Sequence, residues 1–210
     1  MIILVRHGEA ENAAGRAIGR TDPPLSPRGE EQALRAAEAL RDVEISTIVT
    51  SPLSRTRRTA DVIGGVCGLE PLLRPALAEI DLGEWDGMRF EDIRNTRPAE
   101  FAARGRDIAG YRPPGGESFT DLARRVMPEF EALCAMPGTT LAVTHAGVIR
   151  VILAQTLGMP LAKIFALTPL HCHMTIIDTT RATPRLTAFN LPPTTEAVTV
   201  TVATLTNIQG

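Results

Sequence analysis

Three short apolar runs, each cut off by a charged or imidazole side chain, constrain this chain more than any other feature. Ile2-Ile3-Leu4-Val5 stops at Arg6-His7-Gly8. Residues 46–50 (Ser-Thr-Ile-Val-Thr) stop at Ser51-Pro52, with Arg55 just beyond, and Leu141-Ala142-Val143-Thr144 stops at His145, with Gly147 two residues on. Continuous β-branched or apolar runs of this length predict strands buried on both faces, as in a parallel sheet covered by helices. In open α/β sheets ligands bind beyond the carboxyl ends of the strands. If the three strands run parallel, two arginines and two imidazoles meet on one rim near helix starts, a setting suited to a doubly charged anion such as phosphate.

The stretches between fit that frame. Ser26-Pro27 reads as an N-cap followed by proline at the first helical position, and Ala33, Leu34, Ala37 and Leu40 recur at helical spacing, so a helix is expected over 27–41. Ser51-Pro52 is expected to open a second helix that Gly64-Gly65 ends. Residues 76–90 mix glycines and carboxylates and read as an irregular loop followed by a short helix. Pro113-Pro114-Gly115-Gly116 is the strongest breaker; behind it Ser118 and Asp121 form a capping pair for a helix over 119–135. A further helix is expected from Gly147 to Leu157, and a strand from Met174 to Ile177. Strands alternating with helices predict a three-layer α/β/α sandwich around a parallel-dominated central sheet. Val198, Val200 and Val202 alternate with threonines, which predicts an edge strand; pairing with a partner and an unpacked tail are the competing readings.

Composition excludes several classes. The chain has 210 residues, enough for one domain with a full core, and 44% apolar with 22% charged content is ordinary for a soluble globular protein. A net charge of −2 lacks the basic excess of a nucleic-acid or membrane-surface binder. Three cysteines (Cys67, Cys134, Cys172) without a CxxC spacing predict free thiols in a reducing cytosol, not a disulfide framework or zinc site. The run before Arg6 is too short for a signal peptide, and no later stretch reaches the ~20 apolar residues of a membrane span. A cytoplasmic location is therefore expected. His171 and His173 flank Cys172 just before a strand, but no HExxH or other close ligand pair is present, so neither metal nor cofactor is expected.

At these positions the chain resembles the histidine phosphatase superfamily, the phosphoglycerate-mutase-like fold. The resemblance rests on Leu4-Val5-Arg6-His7-Gly8-Glu9, Gly19-Arg20-Thr21-Asp22 with Pro24-Leu25-Ser26, Gly29 with Gln32-Ala33, and Ser51-Pro52-Leu53 with Arg55 and Thr59-Ala60. It continues through Leu77 with Glu79-Ile80, Gly83, Trp85 and Gly87, then Pro114-Gly115-Gly116-Glu117-Ser118 with Arg125-Val126, and Val143-Thr144-His145-Ala146-Gly147. These motifs span about residues 2 to 180, so a catalytic domain over 1–180 is expected, with 181–210 a strand or tail continuing it.

What the resemblance implies is a phosphomonoester hydrolase. His7 would carry the phosphoryl group; Arg6, Arg55 and His145 would bind its equatorial oxygens; Glu79 would protonate the leaving alcohol and then activate water. The loop's own chemistry leaves Glu79 in competition with Asp81, Glu84 and Asp86. Neighbouring arginines disfavour an imidazolium, which suits a nucleophilic His7, and arginines can stabilise a phosphoryl transition state without a metal. With neutral His7 and protonated Glu79 both required, turnover should peak at mildly acidic pH.

On the substrate side, family members carry a tryptophan and an asparagine soon after the RHG; here Asn12 comes one residue early and the tryptophan is missing. Asn12, Gly19, Thr21 and Ala146 are the remaining candidate phosphate or substrate contacts, Gly19 and Thr21 through backbone or hydroxyl donors. Ile18 replaces a usual Gln or Ser and favours a more apolar ligand. Trp85 is expected to pack the loop carrying Glu79. A phosphoglycerate mutase is the closest rival, but mutases carry a longer segment between the Glu loop and Gly115-Gly116. The expected partner is a small phosphorylated metabolite, with a homodimer left open, and neither nucleic acid nor membrane.

Overall fold

A computed structural model describes residues 1–181 and 183–207. In chain order the first half comprises β1 (Ile2–Arg6), α1 (Pro27–Ala39), β2 (Thr47–Thr50), α2 (Ser54–Cys67), β3 (Leu72–Leu73), α3 (Phe90–Thr96) and α4 (Pro98–Arg106). The second comprises α5 (Phe119–Cys134), β4 (Thr140–Thr144), α6 (Ala146–Thr156), β5 (Met174–Asp178), β6 (Arg185–Leu191) and α7 (Thr195–Asn207).

The sheet order is β3-β2-β4-β1-β5-β6. β3, β2, β4 and β1 are mutually parallel, whereas β5 and β6 are antiparallel additions on the β1 side. Alternation along β1 shows how the sequence makes three layers. Ile2 and Leu4 pack with α5 and α6 residues such as Leu122, Val126, Ile149 and Ile152, while Ile3 and Val5 pack with Ala33, Ala36 and Ala37 of α1 and Ile63 of α2. Small alanines on α1 let that helix sit close to the sheet. The register Arg6↔Thr144 and Thr50↔Val143 brings the carboxyl ends of β1, β4 and β2 level, so the residues that follow share one rim.

Helix signals acted largely as expected. Ser26 caps α1 by accepting the N–H of Gly29, and Ser118 with Asp121 forms a reciprocal capping box on α5. Two boundaries differ. α2 begins at Ser54 rather than at Ser51, whose hydroxyl is engaged with His145 and with the N–H of Leu53. It also runs through Gly64 and Gly65 to Cys67, ending where Gly68 takes a left-handed φ of 70°. Gly64 is required for packing rather than termination, since a Cβ there would collide with the Leu69 carbonyl.

The C-terminal valines are the main correction. No edge strand forms over 198–202; these residues lie in α7. The same three positions satisfy helical spacing, because Val198 and Val202, four residues apart, share the face that packs on the α1 side of the core while Val200 is 61% exposed. The fully buried Val198 decides between the two periods, and Thr201 returns its hydroxyl to the Ala197 carbonyl as helical threonines do.

Candidate active site

Beyond the rim of β1, β2 and β4 opens a cleft of about 620 Å³, and Arg6, His7, Arg55, Glu79 and Ala146 all line it. His7 lies at its floor, 6% exposed. Its hydrogen-bond partners fix the tautomer. The Gly8 carbonyl, 2.7 Å from Nδ1, can only accept, and the Arg55 Nε–H, 3.3 Å from Nε2, can only donate. The proton therefore sits on Nδ1, and an unshared pair on Nε2 faces the arginine. Burial first, then Arg55 and Arg6, push the His7 imidazole well below the ordinary histidine range. The ring is thus held neutral, with Nε2 unprotonated beside Arg55.

Arg55 is 1% exposed, held by two backbone carbonyls and one carboxylate. Nη1 donates to the Thr21 carbonyl at 2.9 Å and Nη2 to the Gly19 carbonyl at 2.8 Å, with Asp22 at 3.4 Å. Arg6 donates from Nη1 to the Pro169 carbonyl at 2.8 Å and leaves its Nε without a partner among the described residues. Burial pushes Arg6 down to about 10, against the pull of Glu79. His145 is fully buried behind His7, ring centroids 5.1 Å apart, its Nε2 2.8 Å from the Ser51 hydroxyl. Its Nδ1 has no partner among the described residues. Arg20, Arg74 and Thr140 each also leave a buried side-chain atom without a hydrogen bond among the described residues, so what distinguishes Arg6 and His145 is their place beside His7.

Glu79 reaches the cleft from the loop after β3. Oε1 accepts its neighbour's N–H at Ile80 and Oε2 accepts the N–H of Gly147 at 3.1 Å, so the carboxylate serves a start of α6 that has no side-chain cap of its own. Arg125 fastens the loop from behind, donating to the carbonyls of Ala76, Ala78 and Glu79 while paired with Glu117. Trp85 anchors the next turn, 1% exposed, packed with Ala17 and Ile93 and donating Nε1–H to Glu100.

Three of the expected contacts do not line the cleft: His145 lies buried beside His7, and Gly19 and Thr21 lie elsewhere. The N–H groups of Gly19 and Thr21, with that of Arg20, are taken by the Asp86 carboxylate at 2.6 to 2.8 Å. The carbonyls of Gly19 and Thr21, not their N–H groups, take part in the site, by gripping Arg55. Asn12 does line the cleft, on an exposed turn at φ 52°, and Ile18 lines it too.

Sequence reasoning weighed His171 only as a metal ligand and missed its place beside His7. Its Nδ1–H donates to the His7 carbonyl at 2.8 Å, and its ring lies 5.4 Å from that of His7 on the cleft wall. Strand alternation gave no guide, because β5 starts only at Met174 and Cys172 turns the chain at φ 55°. Arg104, Arg150, Phe119 and Phe165 complete the outer wall. Among the described residues no group of three or more His, Cys, Asp or Glu side chains is placed to hold a metal ion.

The family follows from the whole chain. The model of the histidine phosphatase superfamily (branch 1) matches residues 2–192, and the chain belongs to that superfamily. Within it, the chain is 31% identical over 180 residues to the protein of Erwinia tasmaniensis named "Probable phosphoglycerate mutase GpmB", an alignment covering 84% of each. The protein of that name from Photorhabdus laumondii is 34% identical over 180 residues, with the same coverage. Among solved structures, the α-ribazole phosphatase of Shigella flexneri matches with a TM-score of 0.83 at 27% identity, covering 90% of this chain and 95% of that one. A mycobacterial glucosyl-3-phosphoglycerate phosphatase matches with a TM-score of 0.80 at 31% identity, covering 90% and 97%. No helix among the described residues is long and apolar enough to cross a membrane.

Proposed function

We propose that this chain hydrolyses a small phosphomonoester through a phosphohistidine on His7, without a metal. The observation that carries the reading is the enforced Nδ1–H tautomer of His7, which leaves Nε2 as a neutral nucleophile beside Arg55 at the cleft floor. The Nε2–P bond forms as the P–O ester bond breaks, and Glu79 gives its proton to the departing alkoxide. Water then attacks phosphorus, Glu79 takes the water's proton, and the N–P bond breaks to free inorganic phosphate and restore His7. Arg6, Arg55 and the unpartnered nitrogen of His145 bind the equatorial oxygens, supplying the positioning and charge stabilisation that phosphoryl transfer needs.

The mutase-named relatives favour a second reading, in which the phosphohistidine is returned to product instead of to water. The α-ribazole phosphatase likeness favours a specific hydrolase within the first. The stretch from the Glu79 loop to Gly115-Gly116, filled by the two helices α3 and α4, does not separate the two readings, because the mutase-named relatives align over 84% of their own length and of this chain alike.

The deciding experiment is hydrolysis of p-nitrophenyl phosphate in excess chelator, comparing wild type with His7→Ala. Turnover that survives the chelator and disappears in the variant supports the reading. Full activity in the variant rejects it, and an inactive wild type that isomerises 3-phosphoglycerate replaces it with the mutase.

A further inference from the structure

The outer wall of the cleft carries two arginines that the reaction just described does not use. The guanidinium carbons of Arg104, on α4, and Arg150, on α6, each lie 5.1 Å from the centroid of the Phe165 ring, so they sit within twice that distance of each other. Both side chains line the cleft with Phe165. Arg150 is fixed by one bond, Nε–H to the Leu167 carbonyl at 2.8 Å. Among the described residues, neither guanidinium has a carboxylate within 4.0 Å, whereas Arg97 and Arg125 elsewhere each have a glutamate at 2.8 Å.

Two partly buried like charges at one ring are poorly compensated. The attraction of a cation to an aromatic face is smaller than the cost of taking its charge out of water. Burial pushes both groups down; Tyr111 pulls Arg104 up and Arg150 pushes it down, while Glu79 pulls Arg150 up. The negative charge missing from this wall is one a ligand can bring.

We propose that Arg104 and Arg150 form a second anion subsite, so that the substrate is a small phosphomonoester bearing another anionic group, carboxylate or phosphate, across a short apolar spacer. This rests on reading the cleft floor as the phosphoryl site. The spacer is apolar because Ile18, Leu82 and Phe119 line the same cleft, Phe119 standing edge-on to Phe165 with centroids 5.4 Å apart. It is short because Arg150 lines the same cleft of about 620 Å³ as His7 and Glu79. Planar guanidiniums suit both carboxylate and phosphate, so the chemistry they share is a multi-oxygen anion.

The test is calorimetric titration with three non-hydrolysable probes: propylphosphonate, 3-phosphonopropionate and propane-1,3-bisphosphonate. Wild type should bind at least one doubly functionalised probe 10-fold or more tighter than propylphosphonate, and which one does so tells carboxylate from phosphate. In Arg104→Gln that preference should fall below about threefold, with Arg104→Lys between; Arg150→Gln is the parallel variant should the first not fold. A wild-type preference near one, with propylphosphonate still bound, overturns the subsite alone. So does a preference that persists in both glutamine variants. Failure to bind any of the three phosphonates overturns the reading of the floor, and the subsite with it.

Discussion

The Oε2 of Glu79 accepts the backbone N–H of Gly147 at 3.1 Å, tying the loop after β3 to the first turn of α6. A side chain at 147 has no room: its Cβ would meet Glu79 Oε1, and the Leu122 side chain closes the other side at 3.4 Å. Gly147→Ala should therefore displace the proposed acid/base while leaving His7 in place. Turnover of p-nitrophenyl phosphate should slow by about 10-fold or more, with acid-quenched phosphoenzyme still detectable. A turnover rate within about twofold of wild type would remove the argument for tight placement of Glu79.

Asp86 holds Arg55 at one remove. Its two oxygens take the N–H groups of Gly19, Arg20 and Thr21, and the carbonyls of Gly19 and Thr21 then take the two Nη groups of Arg55. Asp86 touches neither His7 nor the cleft floor, so it acts as a positioning residue. Asp86→Ala should loosen the loop, raising KM for p-nitrophenyl phosphate and slowing turnover, so that catalytic efficiency drops about 10-fold or more. Asp86→Asn, which keeps one acceptor oxygen, should recover part of the loss. Equal stability losses in both variants without a kinetic difference between them would reduce Asp86 to a fold residue.

How much of this was written locally can be judged from particular residues. The rim of Arg6, His7, Ser51, Arg55 and His145 was legible because each follows a buried strand, and parallel strands put their carboxyl ends together. Gly19 and Thr21 were misread as donors to substrate because the acceptor of their N–H groups lies more than 60 residues away, in Asp86. Val198, Val200 and Val202 were ambiguous in principle: period two and the i, i+4 spacing both fit, and only burial against α1 chooses. Arg104 and Arg150 look like ordinary helical arginines in sequence, and become notable only where Phe165 brings them together.

Trp85 offers a test of how far the active loop depends on packing. It is the only tryptophan, 1% exposed, in a small cluster with Ala17 and Ile93 and tilted over Tyr111 at 5.5 Å. Trp85→Ala should cost about 3–5 kcal/mol, as for large-to-small changes in a core, and take activity with it because Glu79 precedes it on the same loop. Trp85→Phe should cost less, losing chiefly the 3.0 Å bond to Glu100 and some volume. Urea unfolding followed by circular dichroism reads both, and a Trp85→Ala loss below about 1 kcal/mol would contradict the packing role.

Three histidines, His7 and His171 in the cleft and His145 buried beside His7, link stability to pH with a definite sign. Burial is the first cause in each, reinforced by the arginines; it pushes His7 and His145 well below the ordinary value of 6.5 and His171 down to about 4. A histidine lowered by folding takes up its proton more readily when the chain is unfolded. Stability from these groups is therefore fully present above pH 6.5 and drains away as pH falls toward their folded values, at about 1.4 kcal/mol per pH unit for each histidine involved. Carboxylates also titrate toward the lower end of that range, so the informative measurement is a difference. His171→Asn removes one such group while keeping a polar side chain that can donate to the His7 carbonyl. Between pH 6.5 and about 4.5, the slope of unfolding free energy against pH should be shallower in the variant by about one proton, and above pH 7 the two slopes should coincide. Parallel curves throughout would mean that His171 is as readily protonated in the fold as out of it, and that the cleft does not exclude positive charge from its imidazoles.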